Sequence, residues 1–212
     1  MTRLLITGFG PFPGVPRNPT EGLARRLAAD PRWRRRGIVA EALVLPTTWR
    51  AVDEILLPHV RESRPDAVLM LGVAARRRRV TIEVRALNRV GRLLPDAAGG
   101  LPMRLAYRPG EPFVRRARIA IGPLLAAMNA AAPGTTRLSR NAGRYLCNGA
   151  SYAALAEPGP EALVFVHVPM PREAGRPAGT GADRPDAGLM LRALGAAAGR
   201  IAHSGRRRSA LA

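Results

Sequence analysis

The 212-residue chain is 47% hydrophobic, enough apolar material for one core and too little length for two comfortable ones. Its 34 basic residues are all Arg, with no Lys, and against 15 acids they give a net charge of +19; such exclusive use of one residue reads as a coding bias and argues against selection for nucleic-acid binding. The 22 glycines and 20 prolines follow no period, and the longest apolar stretches fall short of the roughly 20 residues a bilayer needs, which excludes collagen-like, disordered and membrane-spanning classes.

A first strand is predicted at residues 4–7. Arg3 ahead of these apolar residues is not expected to form a secretory leader, because Pro11 and Pro13 interrupt the run and no small-x-small cleavage site follows. Gly8, Gly10 and Gly14 lie between this strand and a helix, but a dinucleotide fingerprint needs glycine where Pro13 stands. The helix start is well marked by Asn18 as N-cap, Pro19 in the first turn and Glu21 three residues after the cap, and the helix should run to about residue 29. A strand at 39–45, a helix at 49–63 and strands at 67–73 and 80–87 follow. Residues 91–112 read as a long Gly/Pro-rich loop, then come helices at about 115–130 and 148–156, a strand at 163–168, a second loop at 169–185 and a helix at about 186–202. Residues 205–212 form a basic tail, with Arg206, Arg207 and Arg208 in it, and are expected to fray. Several strands are apolar on successive residues, as strands covered on both faces must be. The expected fold is a single α/β domain over 1–204, a three-layer sandwich with a mostly parallel twisted sheet and helices on both faces.

Four features can carry chemistry. Phe9 and Phe12 share a Gly/Pro loop at the carboxyl end of the first strand, the end where open α/β sheets bind ligands; they form either a wall for a ring or a plug for the core below. Cys147, the sole cysteine, can form no intramolecular disulfide and falls at the start of a helix, whose unpaired N–H groups would stabilise a thiolate and a developing oxyanion. The alternative is a small buried hydrophobe. His167 ends a buried strand at the same sheet edge, where it can accept a thiol proton or serve structurally, whereas His59 and His203 lie in helices. Glu83, among β-formers, can orient an imidazole or pair with neighbouring arginines on the surface. The run from Arg76 to Arg79 has no interleaved aromatics and reads as a solvated loop. Scattered histidines and one cysteine have no metal-ligand spacing.

At these residues the sequence resembles the pyroglutamyl peptidase I, or pyrrolidone-carboxylate peptidase, family of cytosolic cysteine peptidases. The match runs in order along nearly the whole chain. Thr7-Gly8-Phe9-Gly10-Pro11-Phe12-Pro13-Gly14 with Asn18-Pro19-Thr20-Glu21 resembles the family's opening motif, and Glu83, Ala86 and Asn88 follow its E-x-x-A-x-N segment. Ser139, Ala142, Gly143, Tyr145, Cys147 and Asn148 follow its S-x-x-A-G-x-Y-x-C-N motif, and Phe165, His167 and Pro169 its F-x-H-x-P motif. The resemblance implies Cys147 as nucleophile, His167 as general base and acid, and Glu83 orienting His167. It further implies that Phe9 and Phe12 hold a pyroglutamyl ring, that Asn18 supports their loop, and that Val73 and Leu94 stand at the pocket wall. The implied reaction releases N-terminal pyroglutamate from a blocked peptide through a thioacyl-enzyme. No cofactor and no membrane partner is implied, nucleic acid is not an expected partner, and a homo-oligomer in the cytoplasm is.

The chain departs from the family pattern where Val73 replaces a common Gln, where Ala75 and Arg76 replace glycines, and where Val90, Gly91, Arg92 and Leu93 replace Asp-Asp-Ala-Arg; Arg77, Pro95 and Asp96 keep to it. Two rival readings stand beside the peptidase: a related cysteine amidase for another cyclic or small N-acyl group, and a non-catalytic basic binding protein.

Overall fold

The computed structural model describes residues 1–172 and 183–209. Six strands form the main sheet in the order β2 (Ile38–Leu45), β1 (Thr2–Phe9), β3 (Ala67–Val73), β8 (Ala162–Val168), β4 (Val80–Glu83), β7 (Thr136–Ser139). The first four run parallel, β4 runs antiparallel to β8, and β7 runs parallel to β4. Alternation along the strands sends successive side chains to opposite faces. Leu4, Ile6, Leu69, Leu71, Val164 and Val166 meet α1 (Pro19–Ala28), α2 (Arg32–Arg35), α5 (Ile121–Ala131) and α7 (Ala187–Ser209). Leu5, Val68, Met70, Leu163 and Phe165 meet the helical segment at 49–63 and α6 (Leu146–Ala154). The protein is thus the expected α/β sandwich, with one sheet between two helical layers.

Local chemistry explains where the elements begin and end. Asn18 caps α1, its side chain accepting from Thr20 N at 3.1 Å and donating to Gly10 O at 2.9 Å, so one residue starts the helix and ties down the loop before it. The predicted helix at 49–63 is three pieces, α3 (Trp49–Ala51), a π turn (Val52–Leu56) and α4 (Leu57–Ser63). Pro58 has no N–H and its ring would crowd the carbonyl four residues back, and the widened turn, in which Leu57 N–H bonds Val52 O, relieves this.

Other boundaries differ from the sequence expectation. The strand at 80–87 breaks at Val84, and β5 (Arg85–Leu87) leaves to pair with β6 (Val114–Arg116) in a separate antiparallel ribbon. The helix expected from 115 starts at Ile121, because Pro123 is tolerated only in a first turn. β7 was not predicted: its four residues, TRLS, are too short and polar to announce a strand. Helix α7 continues past residue 202 to Ser209, so the start of the expected tail is helical. Arg206 explains this by donating to Thr2 Oγ1 and to the Arg36 carbonyl, docking the last turns on β1. Residues 210–212, and 173–182 within the second predicted loop, lie outside the described residues. Among the described residues no helix is long and apolar enough to cross a membrane.

Candidate active site

Strand parity brings the candidate residues to one face. Met70 faces α6, so Gly72 does too; Phe165 faces α6, so His167 does too. Gly72 lies opposite His167 in the β3–β8 ladder, while Thr81 and Glu83 of β4 lie opposite His167 and Phe165. Cys147, in the first turn of α6, hangs over this patch. A Cβ at position 72 would come within 2.9 Å of Cys147 Sγ and 2.6 Å of Phe165 Cζ, so only glycine leaves room for the sulfur beside the imidazole strand.

Glu83 and His167 are both buried, and His167 Nδ1 lies 2.8 Å from Glu83 Oε1. An ionised carboxylate only accepts, so Nδ1 carries the proton and Nε2 is left as acceptor. The same Oε1 accepts from Arg77 Nη1 at 2.6 Å. Burial pushes the Glu83 carboxyl up, but the hydrogen bond and charge of His167, then Ser139 and Arg77, outweigh it and hold it below its ordinary value of 4.5. Burial pushes His167 below its ordinary 6.5, against the pull of Glu83 and with the help of Arg77. At Cys147 burial and the Glu83 charge push the thiol up to about 12, while its own backbone N–H and Arg77 pull it down. The helix terminus therefore acts in the predicted direction on the thiol, against the larger effect of burial.

The surrounding loops are fixed by side chains of the motifs. Asn148 locks the start of α6, accepting from Leu87 N at 2.9 Å and donating to the carbonyls of Leu87 and Arg89. Asp96 accepts from the backbone N–H groups of Trp49, Ala98 and Gly100, and Tyr145 donates to Pro95 O at 2.9 Å, so the loop after β5 is pinned beside α6. Phe12, Tyr145, Trp49 and Tyr107 form a chain of rings with centroids 5.9–6.3 Å apart.

The full-length comparison agrees with the motif order. Residues 2–203 match the pyroglutamyl peptidase family model. The chain belongs to the pyroglutamyl peptidase family. It is 35% identical to the pyrrolidone-carboxylate peptidase of Streptomyces coelicolor over 206 residues, covering 94% of this chain and 93% of that one. It is 34% identical to that of Gloeobacter violaceus, covering 82% and 85%. The crystal structure of pyrrolidone carboxyl peptidase from Thermus thermophilus, 34% identical, superposes with a TM-score of 0.75 over 95% of this chain and 99% of that one. The Thermococcus litoralis structure, 25% identical, gives 0.82 over 98% and 96%. The family is one of cysteine peptidases.

Of the three candidate catalytic residues, His167 and Glu83 are in direct contact, and Cys147 Sγ lies over the same face of the sheet beside Gly72. Asn18 is buried and donates to Gly10 O in the first loop. Phe12 is half-buried and 6.3 Å from Tyr145, whereas Phe9 is 3% exposed and belongs to the core under the loop. Of the two aromatics, therefore, Phe12 borders the surface and Phe9 is the plug. Val73 is a correction: it follows Gly72 in β3 and lies opposite Val168, so its side chain leaves the sheet on the other face, away from the sulfur. Leu94 is 63% exposed on the loop whose Pro95 receives Tyr145. The sequence reading missed Gly72, Trp49 and Tyr107. A glycine inside an apolar strand was the available signal for Gly72, since it marks a close approach.

Proposed function

We propose that this chain removes N-terminal pyroglutamate from blocked peptides through a thioacyl-enzyme, with Cys147 as nucleophile, His167 as general base and acid, and Glu83 as the group that orients and charge-balances His167. The observation that carries the reading is the 2.8 Å contact between His167 Nδ1 and Glu83 Oε1, on the face where Gly72 makes room for Cys147 Sγ. His167 Nε2 takes the thiol proton as Sγ attacks the carbonyl carbon of the scissile bond. The imidazolium so formed sits against the Glu83 carboxylate, and the oxyanion meets N–H groups of the first turn of α6. Collapse breaks the C–N bond, His167 gives its proton to the leaving amine, and a thioester remains. Water, deprotonated by His167, then releases free pyroglutamate and restores the thiol.

Burial favours the protonated thiol, so proton transfer to His167 accompanies attack. A flat, neutral lactam suits the aromatic border of Phe12 and Tyr145, and rejection of proline rests on hydrogen bonds to the lactam carbonyl. A free-thiol nucleophile fits the reducing cytoplasm. The exposed apolar side chains of Leu93, Met103, Leu105 and Phe113 support assembly into a homo-oligomer.

Hydrolysis of pyroglutamyl and prolyl anilides tests the reading. The pyroglutamyl substrate should turn over and the prolyl one should not, and Cys147→Ser should lose about 10⁴-fold or more in kcat. Equal turnover of the two, or none of the pyroglutamyl substrate, would favour an amidase for another small N-acyl group.

A further inference from the structure

Arg77 reaches more of the catalytic apparatus than any neighbouring arginine of its run. It sits in the turn between β3 and β4, whose Ala74 N–H bonds Val168 O at 2.8 Å, next to the strand end that carries His167. Nη1 donates to Glu83 Oε1 at 2.6 Å and also to Thr81 Oγ1. Nη2 donates to Asn141 O at 2.8 Å and to Ser139 Oγ at 3.3 Å. Asn141 lies in the connection from β7 to α6, where its side chain takes the N–H of Gly143 at 3.0 Å and Arg144 O takes Gly91 N–H at 2.7 Å, just before Cys147. One planar fork thus holds the carboxylate with one arm and the nucleophile's approach with the other, a task for which a point charge on a flexible stem is poorly shaped. Arg78, its neighbour, instead points its guanidinium at Asp183 on the surface, its side chain 71% exposed.

We propose that Arg77 is a positioning residue of the reaction, whose guanidinium fixes Glu83 and the Cys147 loop as one unit. This rests on the assignment of Cys147, His167 and Glu83 above. Its second consequence is electrostatic. Among the described residues the charged groups acting on His167 are Glu83 from β4 and Arg77 from the β3–β4 turn, with the Cys147 thiol of α6 over the same face of the sheet. Glu83 favours the imidazolium; Arg77, sharing the same carboxylate oxygen, opposes it and keeps Nε2 free to accept a proton.

The test uses Arg77→Met, Arg77→Lys and, as a control outside the apparatus, Arg78→Met. Titration of ¹⁵N-histidine-labelled protein, in which only three histidines need to be assigned, reads His167 without any substrate. In Arg77→Met the His167 midpoint should move to higher pH, and kcat on a pyroglutamyl anilide should fall about 100-fold with KM changed less than about threefold. Arg77→Lys keeps the charge but cannot span Glu83 and Asn141 together. It should return the midpoint towards that of the wild type yet leave kcat about tenfold down. Arg78→Met should match the wild type in both. An unmoved His167 midpoint in Arg77→Met overturns the proposal, as does wild-type kcat in Arg77→Lys if the Met variant does not fold. Should the wild type fail to cleave the pyroglutamyl anilide, the substrate assignment falls while the histidine titration still decides the role of Arg77.

Discussion

The two faces of the central sheet are made by alternate residues of the same strands, yet they are built for different ends. Towards α5 and α7, Leu69, Leu71, Val164 and Val166 pack on Leu124, Met128, Leu194, Ala197 and Ile201 in an apolar layer. Towards α6, the next residue along each strand gives Gly72, Thr81, Glu83 and His167, set among Phe9 and Phe165. Burying a carboxylate and an imidazole costs free energy unless each is paired. They persist here because they bond one another and the carboxylate also accepts from Arg77. A parity of two thus lets one side of the sheet be apolar throughout, while the other buries its own apolar layer and carries the polar groups of the site only near the strand ends.

That separation can be broken most forcefully at Glu83. Glu83→Gln keeps the shape but removes the charge that orients Nδ1 and balances the imidazolium, and kcat/KM of the folded enzyme should fall about 10⁴-fold, the size seen when such a carboxylate is neutralised. The pH profile carries a sign as well. With His167 below its ordinary value, the acid limb of the wild type should lie below pH 6.5. Since Glu83 pulls His167 up, the Gln variant should push what limb remains lower still, the opposite direction to Arg77→Met. A limb that stays put in both variants would remove His167 from the proton-transfer step.

The mirror experiment lies across the sheet at Leu194, fully buried on α7. Leu194→Ala should cost about 2–5 kcal/mol by lost burial and cavity formation, read by urea denaturation. The kcat/KM of the folded fraction should stay at the wild-type value. A fall in kcat/KM beyond the loss of folded protein would mean that the two faces are coupled through the strands.

Much of this division was open to reading in the sequence, and what was hidden has physical causes. The apolar runs at β1, β3 and β8 announce strands covered on both faces, and Asn18, Pro19 and Glu21 announce α1. Cys147, His167 and Glu83 stand out because each is a reactive or charged type in an apolar or helix-starting context. Strand direction and long-range pairing were not legible. Nothing local says that β4 runs against β8, or that TRLS pairs with it to make the sheet's edge. Val73 was misassigned for the same reason, since its face depends on a parity fixed only once Gly72 lies opposite His167. Arg77 was visible as one arginine in a run, and only the fold distinguishes it from its solvated neighbours.

The smallest effect belongs to Asn18, which touches neither face's core yet joins the first loop to its helix. Its side chain accepts from Thr20 N and donates to Gly10 O, and Thr47 Oγ1 bonds the same Gly10 carbonyl from the next loop at 3.0 Å. Thr20 Oγ1 in turn accepts the N–H of Phe9 at 3.0 Å. Asn18→Ala therefore loses a helix cap, a cost of about 1 kcal/mol in stability. It also removes one of the two bonds to the Gly10 carbonyl in the loop that presents Phe12. If Phe12 borders the substrate ring, loosening that loop should weaken binding by a similar free energy, about a fivefold rise in KM, with kcat held because the groups around Cys147 are undisturbed. Asn18→Asp separates the two roles. It retains the cap acceptor and the stability but lacks the donor to Gly10 O, so KM should rise without loss of stability. A KM equal to the wild type's in both variants would place substrate recognition elsewhere than the Phe12 loop.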